Sequence, residues 1–206
     1  MAHKILTIGR QLGSGGRELG ERTAEALGIP FFDQNLISMA AERGDLAESY
    51  LAESYLARFD EKKHNPWMYE MVTGGNKHVP KGAPLQEALF KLQSDVIRHI
   101  SKRTDAVIIG RCADYILRER TDAKVLSVFV SAPMDACIRR KMEQKGITEK
   151  EAETLIKKVN KDRRKYYEFH TGKDWSAPDS YDIYLNSSRQ SMEEMTEVLV
   201  KRFNEL

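Results

Sequence analysis

The sequence predicts a doubly wound α/β fold, in which helices cover both faces of a parallel sheet and give three layers. Short apolar runs, typical of buried strands, alternate along the chain with amphipathic stretches at helical spacing. A glycine-rich turn also joins the first strand to the first helix, as in folds of this class that bind anions. The 206 residues, 41% of them hydrophobic, suffice for one domain with a full core.

Five short apolar segments predict the strands of the sheet. They are expected at residues 5–8, 29–32, 106–109, 125–130 and 181–185. Bare hydrophobic runs, each followed by a helical segment, are typical of parallel strands that are covered on both faces.

Apolar residues at helical spacing predict four main helices. The first follows the glycine-rich turn and ends at Gly28, and the second follows Pro84. The third begins after Thr148, where Glu151 completes a capping box. The last carries the apolar stripe Met192, Met195, Val198, Leu199 and Phe203.

Two stretches interrupt this alternation. Residues 46–55 repeat the pentamer Leu-Ala-Glu-Ser-Tyr, and two copies of five residues cannot share one helical face, so we expect a bend or turn there. Residues 60–83 are rich in glycine and proline and are expected to form a mobile excursion from the core. Their aromatic residues either anchor the excursion or cover a substrate.

The turn at residues 9–17 reads Gly-Arg-Gln-Leu-Gly-Ser-Gly-Gly-Arg. In such a turn the free amides and the helix dipole create an anion site, for which phosphate is the usual ligand. The alternative is a tight turn that uses glycine for geometry alone. We favour phosphate, because glycines and arginines are concentrated there. The predicted phosphate-binding residues are Arg10, Gly13, Ser14, Gly15, Gly16 and Arg17.

This turn departs from the common phosphate-loop motif G-x-x-x-x-G-K-[ST]. Arg10 stands where that motif has its first glycine, Gly16 where it has lysine, and Arg17 where it has the metal-binding hydroxyl. Arg10 or Arg17 could supply the missing positive charge, since guanidinium groups pair well with phosphate oxygens.

Polar residues at the strand ends are further candidates, because ligands of open α/β sheets bind beyond the carboxyl ends of the strands. Arg111 follows the third strand directly after Gly110, and its alternative role is that of a surface arginine. Asp33 follows the second strand and could orient an acceptor group or a metal, or could equally cap the next helix. Asp114 is either another carboxylate at this edge or an ordinary acid of a first helical turn.

The densest positive run covers residues 157–165. On a helix, most of its side chains would face solvent. Arg163 falls beside the apolar stripe, where a charge needs a partner, and a phosphate would suit. Arg140 in the preceding helix could reach the same anion. The residues expected to face solvent are Lys157, Lys161, Arg164 and Lys165.

Composition excludes several classes of protein. The formal net charge of +2 argues against a nucleic-acid binder that works through the 157–165 run. The two cysteines and five histidines show no metal-ligand spacing, so no metal-binding residue is assigned. We find neither a signal peptide nor an apolar stretch of membrane-spanning length, and therefore expect a cytoplasmic protein without a membrane partner. The sequence leaves open whether the chain forms an oligomer.

Six motifs together resemble the cytidylate kinase-like family of the P-loop nucleoside monophosphate kinases. The resemblance covers nearly the whole chain. The motifs are I-G-R-Q-L-G-S-G-G-R-E-L-G, I-P-F-F-D-Q-N-L-I, I-I-G-R-C-A-D-Y-I-L, V-S-A-P-M-D-A-C-I-R-R-K-M, N-K-D-R-R-K-Y-Y-E-F-H-T-G-K-D-W and Y-D-I-Y-L-N-S-S.

The resemblance implies a P-loop kinase core at about residues 1–34 and 104–206, with a helical acceptor-binding insertion at about 35–103 and a lid at about 140–170. It implies ATP and Mg²⁺ as cofactors, with the glycine loop on the ATP phosphates. By the resemblance Arg111 would bind the acceptor, and we expect Asp33, from its place at the end of the second strand, to bind it too. Arg140 and Arg163 would be lid arginines that, together with Arg17, stabilise the transferred phosphoryl group.

Three departures from the family pattern leave two functional hypotheses. The G-K-[ST] motif is absent, Cys112 replaces an aspartate, and residues 33–39 replace a D-S-G-x-x-Y-R segment. The leading hypothesis is an ATP-dependent phosphotransferase that acts on a small molecule, most plausibly a nucleoside monophosphate. The alternative is a catalytically impaired regulatory module that binds a nucleotide or another phosphorylated ligand.

Overall fold

The computed structural model describes residues 2–33, 85–119 and 121–206. Within them lies a five-stranded parallel sheet of order β2-β3-β1-β4-β5. All five predicted strands are confirmed. Their bounds are β1 (His3–Arg10), β2 (Phe31–Phe32), β3 (Ala106–Ile109), β4 (Ala123–Ser131) and β5 (Ile183–Asn186).

The register of the sheet places the carboxyl ends of β1, β3 and β4 close to one another. Ile8 of β1 is opposite Ile109 of β3 on one side and Val128 of β4 on the other. Residues that follow these positions therefore emerge together at the carboxyl edge of the sheet, where α/β folds bind ligands.

Six helices are described, and each predicted helix is among them. The capping box of Thr148 with Glu151 is confirmed, and Gly28 ends the first helix in the left-handed conformation, with φ of 66°. A 3₁₀ turn at Pro178–Ser180 precedes β5, so this strand begins later than predicted. The helices are α1 (Gly16–Leu27), α2 (Leu85–Ser101), α3 (Ala113–Leu117), α4 (Met134–Lys145), α5 (Glu149–Thr171) and α6 (Met192–Asn204).

The sheet has a different apolar cluster on each face. Leu6 and Ile8 of β1 belong to a buried cluster that includes Leu19 of α1 and Leu199 of α6. Val198 was predicted to join the stripe of α6, but it is 37% exposed because it lies at the edge of that stripe. Aromatic rings cover the other face of β4, where Phe129 packs against Trp175, Tyr181 and Tyr184.

The chain divides into two compact units. The first comprises Met1–Phe31 and Ser101–Leu206, and it holds most of the sheet with α1 and α3–α6. The second comprises Phe32–Ile100, of which Phe32, Asp33 and most of α2 are described. The expectations for residues 46–55 and 60–83 lie outside the described residues, and the acceptor-binding role of the insertion remains a prediction. None of the described helices is long and apolar enough to cross a membrane.

Candidate active site

The glycine-rich turn leaves several backbone amides available for an anion. Gly13 and Gly15 adopt left-handed conformations with φ of 84° and 82°, and Gly15 precedes the first turn of α1. Among the described residues, the amides of Gly13, Gly15 and Gly16 have no protein acceptor. Because these donors lie at the positive end of the α1 dipole, the turn can donate to negatively charged oxygens, and its role as a phosphate site remains a prediction.

Hydrogen bonds within the turn fix its shape. The amide of Gln11 donates to the carbonyl oxygen of Val130, and its side-chain Oε1 accepts from the amide of Ala132. The Ser14 hydroxyl donates to the carbonyl oxygen of Gln11 at 2.9 Å, and its amide approaches the same oxygen at 3.4 Å. Ser14 is fully buried, so its hydroxyl shapes the turn and is not presented to a ligand.

The side chain of Arg10 occupies the space that a P-loop lysine would need. A Cβ atom added to Gly16 would lie 2.6 Å from the Cβ of Arg10 and 3.1 Å from the Cβ of Val130. The Arg10 guanidinium in turn lies against Gly110 at the end of β3, where a Cβ atom would collide with its Nη1. Arg10 therefore runs from β1 past the start of α1, and its guanidinium lies at the end of the neighbouring strand β3.

Two arginines from α4 and α5 donate to the backbone of the turn. Arg140 Nη1 donates to the carbonyl oxygen of Gly13 at 2.7 Å, and Arg163 Nη1 donates to that of Arg10 at 3.1 Å. Asn160, one turn before Arg163, accepts from the amide of Leu12 at 2.8 Å. The predicted lid arginines are thus brought to the glycine-rich turn, although their catalytic role remains a prediction.

Lys141 is a further cation near the turn, and the sequence reasoning missed it. Its side chain is partly buried, and it follows Cys137 by one helical turn on the side of α4 that packs against Gly13. Burial, followed by the charges of Lys145, Arg163 and Arg140, lowers the pKa of Lys141. In the described part of the chain no carboxylate pairs with Arg140 or Lys141, so an anion would relieve this repulsion.

Arg111 leaves β3 through an unusual backbone turn. Gly110, Arg111 and Cys112 are all left-handed, with φ of 69°, 56° and 56°. The two residues that carry a Cβ atom each store about 1–2 kcal/mol of strain. Burial raises the pKa of the Cys112 thiol, which therefore stays neutral and is no nucleophile. The turn directs Arg111, which is partly exposed, to the edge where β1 also ends.

Arg17 and Asp33 are the remaining residues predicted for the site. Arg17 Nη1 pairs with Glu21 at 2.8 Å, its side chain is 60% exposed, and its guanidinium lies over the Phe31 ring at 5.8 Å. Asp33 follows β2 and falls in the second unit. The functional roles of both residues remain predictions.

The basic run of α5 is arranged as its helical spacing predicts. Arg163 is partly buried, whereas the four lysines and arginines expected to face solvent are exposed. Lys157 also pairs with Glu153 one turn away, as is usual for a solvated helix face.

Comparison with known proteins supports a kinase relationship. The sequence profile of the cytidylate kinase-like family matches residues 5–189. The chain belongs to this family. A cytidylate kinase from Methanopyrus kandleri is 25% identical to it over 198 residues, which cover 95% of this chain and 90% of that protein. The resemblance inferred from the six motifs is therefore confirmed.

Solved structures similar to this family member share its fold. An uncharacterised protein from Eubacterium ventriosum has a TM-score of 0.69 at 23% identity and covers 99% of this chain and 100% of its own. Shikimate kinase from Bacteroides thetaiotaomicron has a TM-score of 0.53 at 16% identity, with 100% coverage of both chains. A gluconokinase from Sinorhizobium meliloti has a TM-score of 0.52 at 13% identity and covers 98% of this chain and 92% of its own. The predicted P-loop kinase-like α/β fold is confirmed.

The close packing around Gly13 in the glycine-rich turn predicts how much stability a substitution there would cost. A Cβ atom at Gly13 would lie 2.7 Å from the carbonyl oxygen of Cys137, in addition to its left-handed strain. We expect Gly13→Ala to lower the free energy of unfolding by about 3 kcal/mol or more. Gly28→Ala is the matched control, because Gly28 is also left-handed but has nothing within 4 Å of that position.

The control should lose only about 1 kcal/mol, which is the conformational cost alone. Urea unfolding followed by circular dichroism measures both variants. Equal losses would show that Cys137 moves aside and that the turn is not held by this contact.

Proposed function

We propose that this chain transfers the γ-phosphoryl group of ATP to a small-molecule acceptor, and that this acceptor is a nucleoside monophosphate. One observation carries the proposal. Among the described residues, three glycine amides without a protein acceptor lie at the start of α1, close to arginines that come from β1, α4 and α5. Phosphoryl transfer needs positioning and neutralisation of charge more than covalent chemistry by the protein, and this arrangement can supply both.

The donor phosphates would bind to the amides of Gly13, Gly15 and Gly16. Arg10 would then supply the positive charge that lysine supplies in the common motif, because its stem lies beside Gly16 and its guanidinium lies at the carboxyl edge of the sheet, against Gly110. A guanidinium group can donate to two phosphate oxygens at once, so this exchange of residue keeps the charge and adds direction.

The transferred phosphoryl group would be met by Arg140, Arg163 and the neighbouring Lys141. Both arginines now donate to backbone carbonyls of the turn. A phosphoryl oxygen is charged and accepts more strongly than a carbonyl, so ATP can replace these carbonyls as the acceptor without a large movement of α4 or α5. Arg17 would add to the positive field once it leaves Glu21.

The acceptor would bind at the edge beyond β3, on Arg111, while the acceptor-binding role of Asp33 in the second unit stays a separate prediction. The Methanopyrus kandleri relative is named a cytidylate kinase, which supports a nucleoside monophosphate as the acceptor class. Cys112, a neutral thiol, stands next to Arg111 where the family pattern has an aspartate. We therefore propose the class of acceptor and assign no particular nucleobase to it.

The residues fit ATP better than they fit a protein-bound metal. The amides and arginines suit the phosphates, but the Ser14 hydroxyl is used by Gln11, and Arg17 stands where a metal-binding hydroxyl is usual. The turn therefore offers Mg²⁺ no hydroxyl ligand, and no cluster of three His, Cys, Asp or Glu residues lies within the described ranges. Mg²⁺ would be held by the nucleotide itself.

The second candidate function is a regulatory module that binds ATP without transferring its phosphoryl group. The absence of both the lysine and the hydroxyl of the common motif favours it. The two candidates differ in their dependence on metal. A kinase should bind ATP productively only with Mg²⁺, whereas a simple anion sensor should bind ATP equally well without it.

The test is phosphoryl transfer from ATP to a panel of acceptors, with CMP and other nucleoside monophosphates beside the hydroxyl acceptors shikimate and gluconate. We expect transfer to at least one nucleoside monophosphate. Arg140→Met should lower kcat by about 100-fold or more, because it removes a charge that faces the phosphoryl group. Arg139→Met is the matched control, since Arg139 is its exposed neighbour and pairs with Asp135.

The control should keep its activity within about twofold, because exposed ion pairs contribute little. ATP that binds normally while no acceptor is phosphorylated would favour the regulatory module. Equal losses in both arginine variants would contradict the assignment of Arg140 to the site.

A further inference from the structure

A buried carboxylate lies at the start of α3, and none of the roles proposed above uses it. Asp114 is 9% exposed, and its Oδ2 accepts from the hydroxyl of Tyr167 at 2.6 Å. Tyr167 is 4% exposed and lies on α5. Burial raises the pKa of Asp114, although the Tyr167 hydroxyl and two backbone amides oppose the shift. A short hydrogen bond between two buried groups is costly to leave unmade.

The two partners lie next to two arginines of the proposed site. Asp114 is the second residue of α3, which begins directly after the left-handed turn that carries Arg111. Tyr167 lies one helical turn beyond Arg163 and on the same side of α5. The hydrogen bond therefore joins the element that holds the acceptor arginine to the helix that holds a lid arginine.

The strained turn needs support at both ends. On one side, the amide of Gly110 donates to the carbonyl oxygen of Ile8, which fixes the turn to the sheet. On the other side, α3 carries the buried carboxylate of Asp114, which accepts a hydrogen bond from the hydroxyl of Tyr167. Left-handed residues with a Cβ atom persist only where their surroundings hold them, and this buried hydrogen bond anchors the helix that follows the turn.

A second buried tyrosine, Tyr181, lies between this hydrogen bond and the end of β1. The Tyr181 hydroxyl donates to the carbonyl oxygen of Trp175 at 2.8 Å. Burial, followed by the charge of Asp114, raises the pKa of Tyr181. A Cβ atom at Gly9 would lie 3.3 Å from that hydroxyl. The polar cluster of Asp114, Tyr167 and Tyr181 thus reaches the end of β1, just before Arg10.

We propose that Asp114 and Tyr167 are positioning residues, whose hydrogen bond sets Arg111 and Arg163 at the separation that phosphoryl transfer requires. The inference rests on the proposed function, in which Arg111 would hold the acceptor and Arg163 would meet the phosphoryl group that is transferred to it. If this alignment is lost, the γ-phosphoryl group is held less well for transfer, whereas the other phosphates of ATP stay bound at the glycine-rich turn.

The test is a double-mutant cycle of Tyr167→Phe and Asp114→Asn on the full chain, with two readouts besides stability. We expect Tyr167→Phe to lower kcat about tenfold. It should also lower the affinity for ATP about fivefold while leaving the affinity for ADP unchanged, because Arg163 faces the γ-phosphoryl group. The double variant should lose no more than the worse single variant, because both changes remove one interaction.

Tyr184→Phe is the control. It also removes a tyrosine hydroxyl, but this tyrosine is 38% exposed and stacks on Phe129. It should leave kcat and both affinities unchanged. The inference is overturned if Tyr167→Phe lowers the free energy of unfolding but leaves kcat and the preference for ATP over ADP as in the wild type. A wild-type chain that binds ATP but transfers nothing would refute the proposed function alone, and the ATP preference would still decide the inference.

Discussion

Arg10→Met is expected to lower kcat for phosphoryl transfer by about 1,000-fold and to weaken ATP binding, with little loss of stability. An arginine that neutralises transition-state charge in phosphoryl transfer is worth about 10³–10⁵ in kcat. Methionine keeps the apolar stem that packs against Gly16 and Val130, so the packing beside α1 is largely retained. The measurements are steady-state kinetics, ATP calorimetry and thermal unfolding.

Arg17→Met is the comparison, because both arginines belong to the same turn and either could replace the missing lysine. Arg17 is 60% exposed and pairs with Glu21, so we expect its loss to cost less than about tenfold in kcat. Arg10→Lys should recover part of the activity, because it restores the charge but not the fork of donors. The opposite order of effects would identify Arg17 as the essential cation.

Local signals account for the part of the fold that the sequence predicts well. The strand Ala106–Ile109 and the capping box at Thr148 are each contained in a few consecutive residues, and both are found where predicted. Gly28 likewise ends α1, since only glycine adopts its conformation without strain. The late start of β5 follows from the 3₁₀ turn at Pro178–Ser180, which the apolar pattern does not reveal.

The details of the candidate site depend on contacts between distant parts of the chain. Topology places Arg111 at the carboxyl edge of the sheet, but nothing in its sequence shows that it is left-handed. The path of Arg10 requires the missing Cβ atoms of both Gly16 and Gly110. These two glycines belong to different motifs, so only the folded chain relates them.

Buried polar partners were the least predictable feature. The sequence left Asp114 as either an edge carboxylate or a helix-turn acid, and its partner Tyr167 is far away in the chain. Helical spacing on α5 does place Tyr167 on the same side as Arg163. The spacing alone does not show that the Tyr167 hydroxyl meets a polar partner there and not an apolar surface. A pairing of this kind has no local signature.

Gly16→Lys restores the lysine of the common motif, and we expect it to damage the protein. The Cβ atom of the new residue would lie 2.6 Å from the Cβ of Arg10 and 3.1 Å from that of Val130. Neither atom can rotate away, because both are attached directly to backbone at the ends of strands β1 and β4. We expect a loss of about 2–3 kcal/mol in the free energy of unfolding, and ATP binding weakened by about 100-fold.

A compensating change tests the reason for this loss. The double variant Arg10→Gly/Gly16→Lys also restores the first glycine of the motif and removes the nearest colliding atom. If Arg10 fills the place of the lysine, the double variant should recover most of the lost stability and bind ATP more tightly than Gly16→Lys alone. Urea unfolding and ATP calorimetry of the two variants and of Arg10→Gly complete the cycle. Additive losses would mean that the two positions act independently, and that the arginine does not substitute for the lysine.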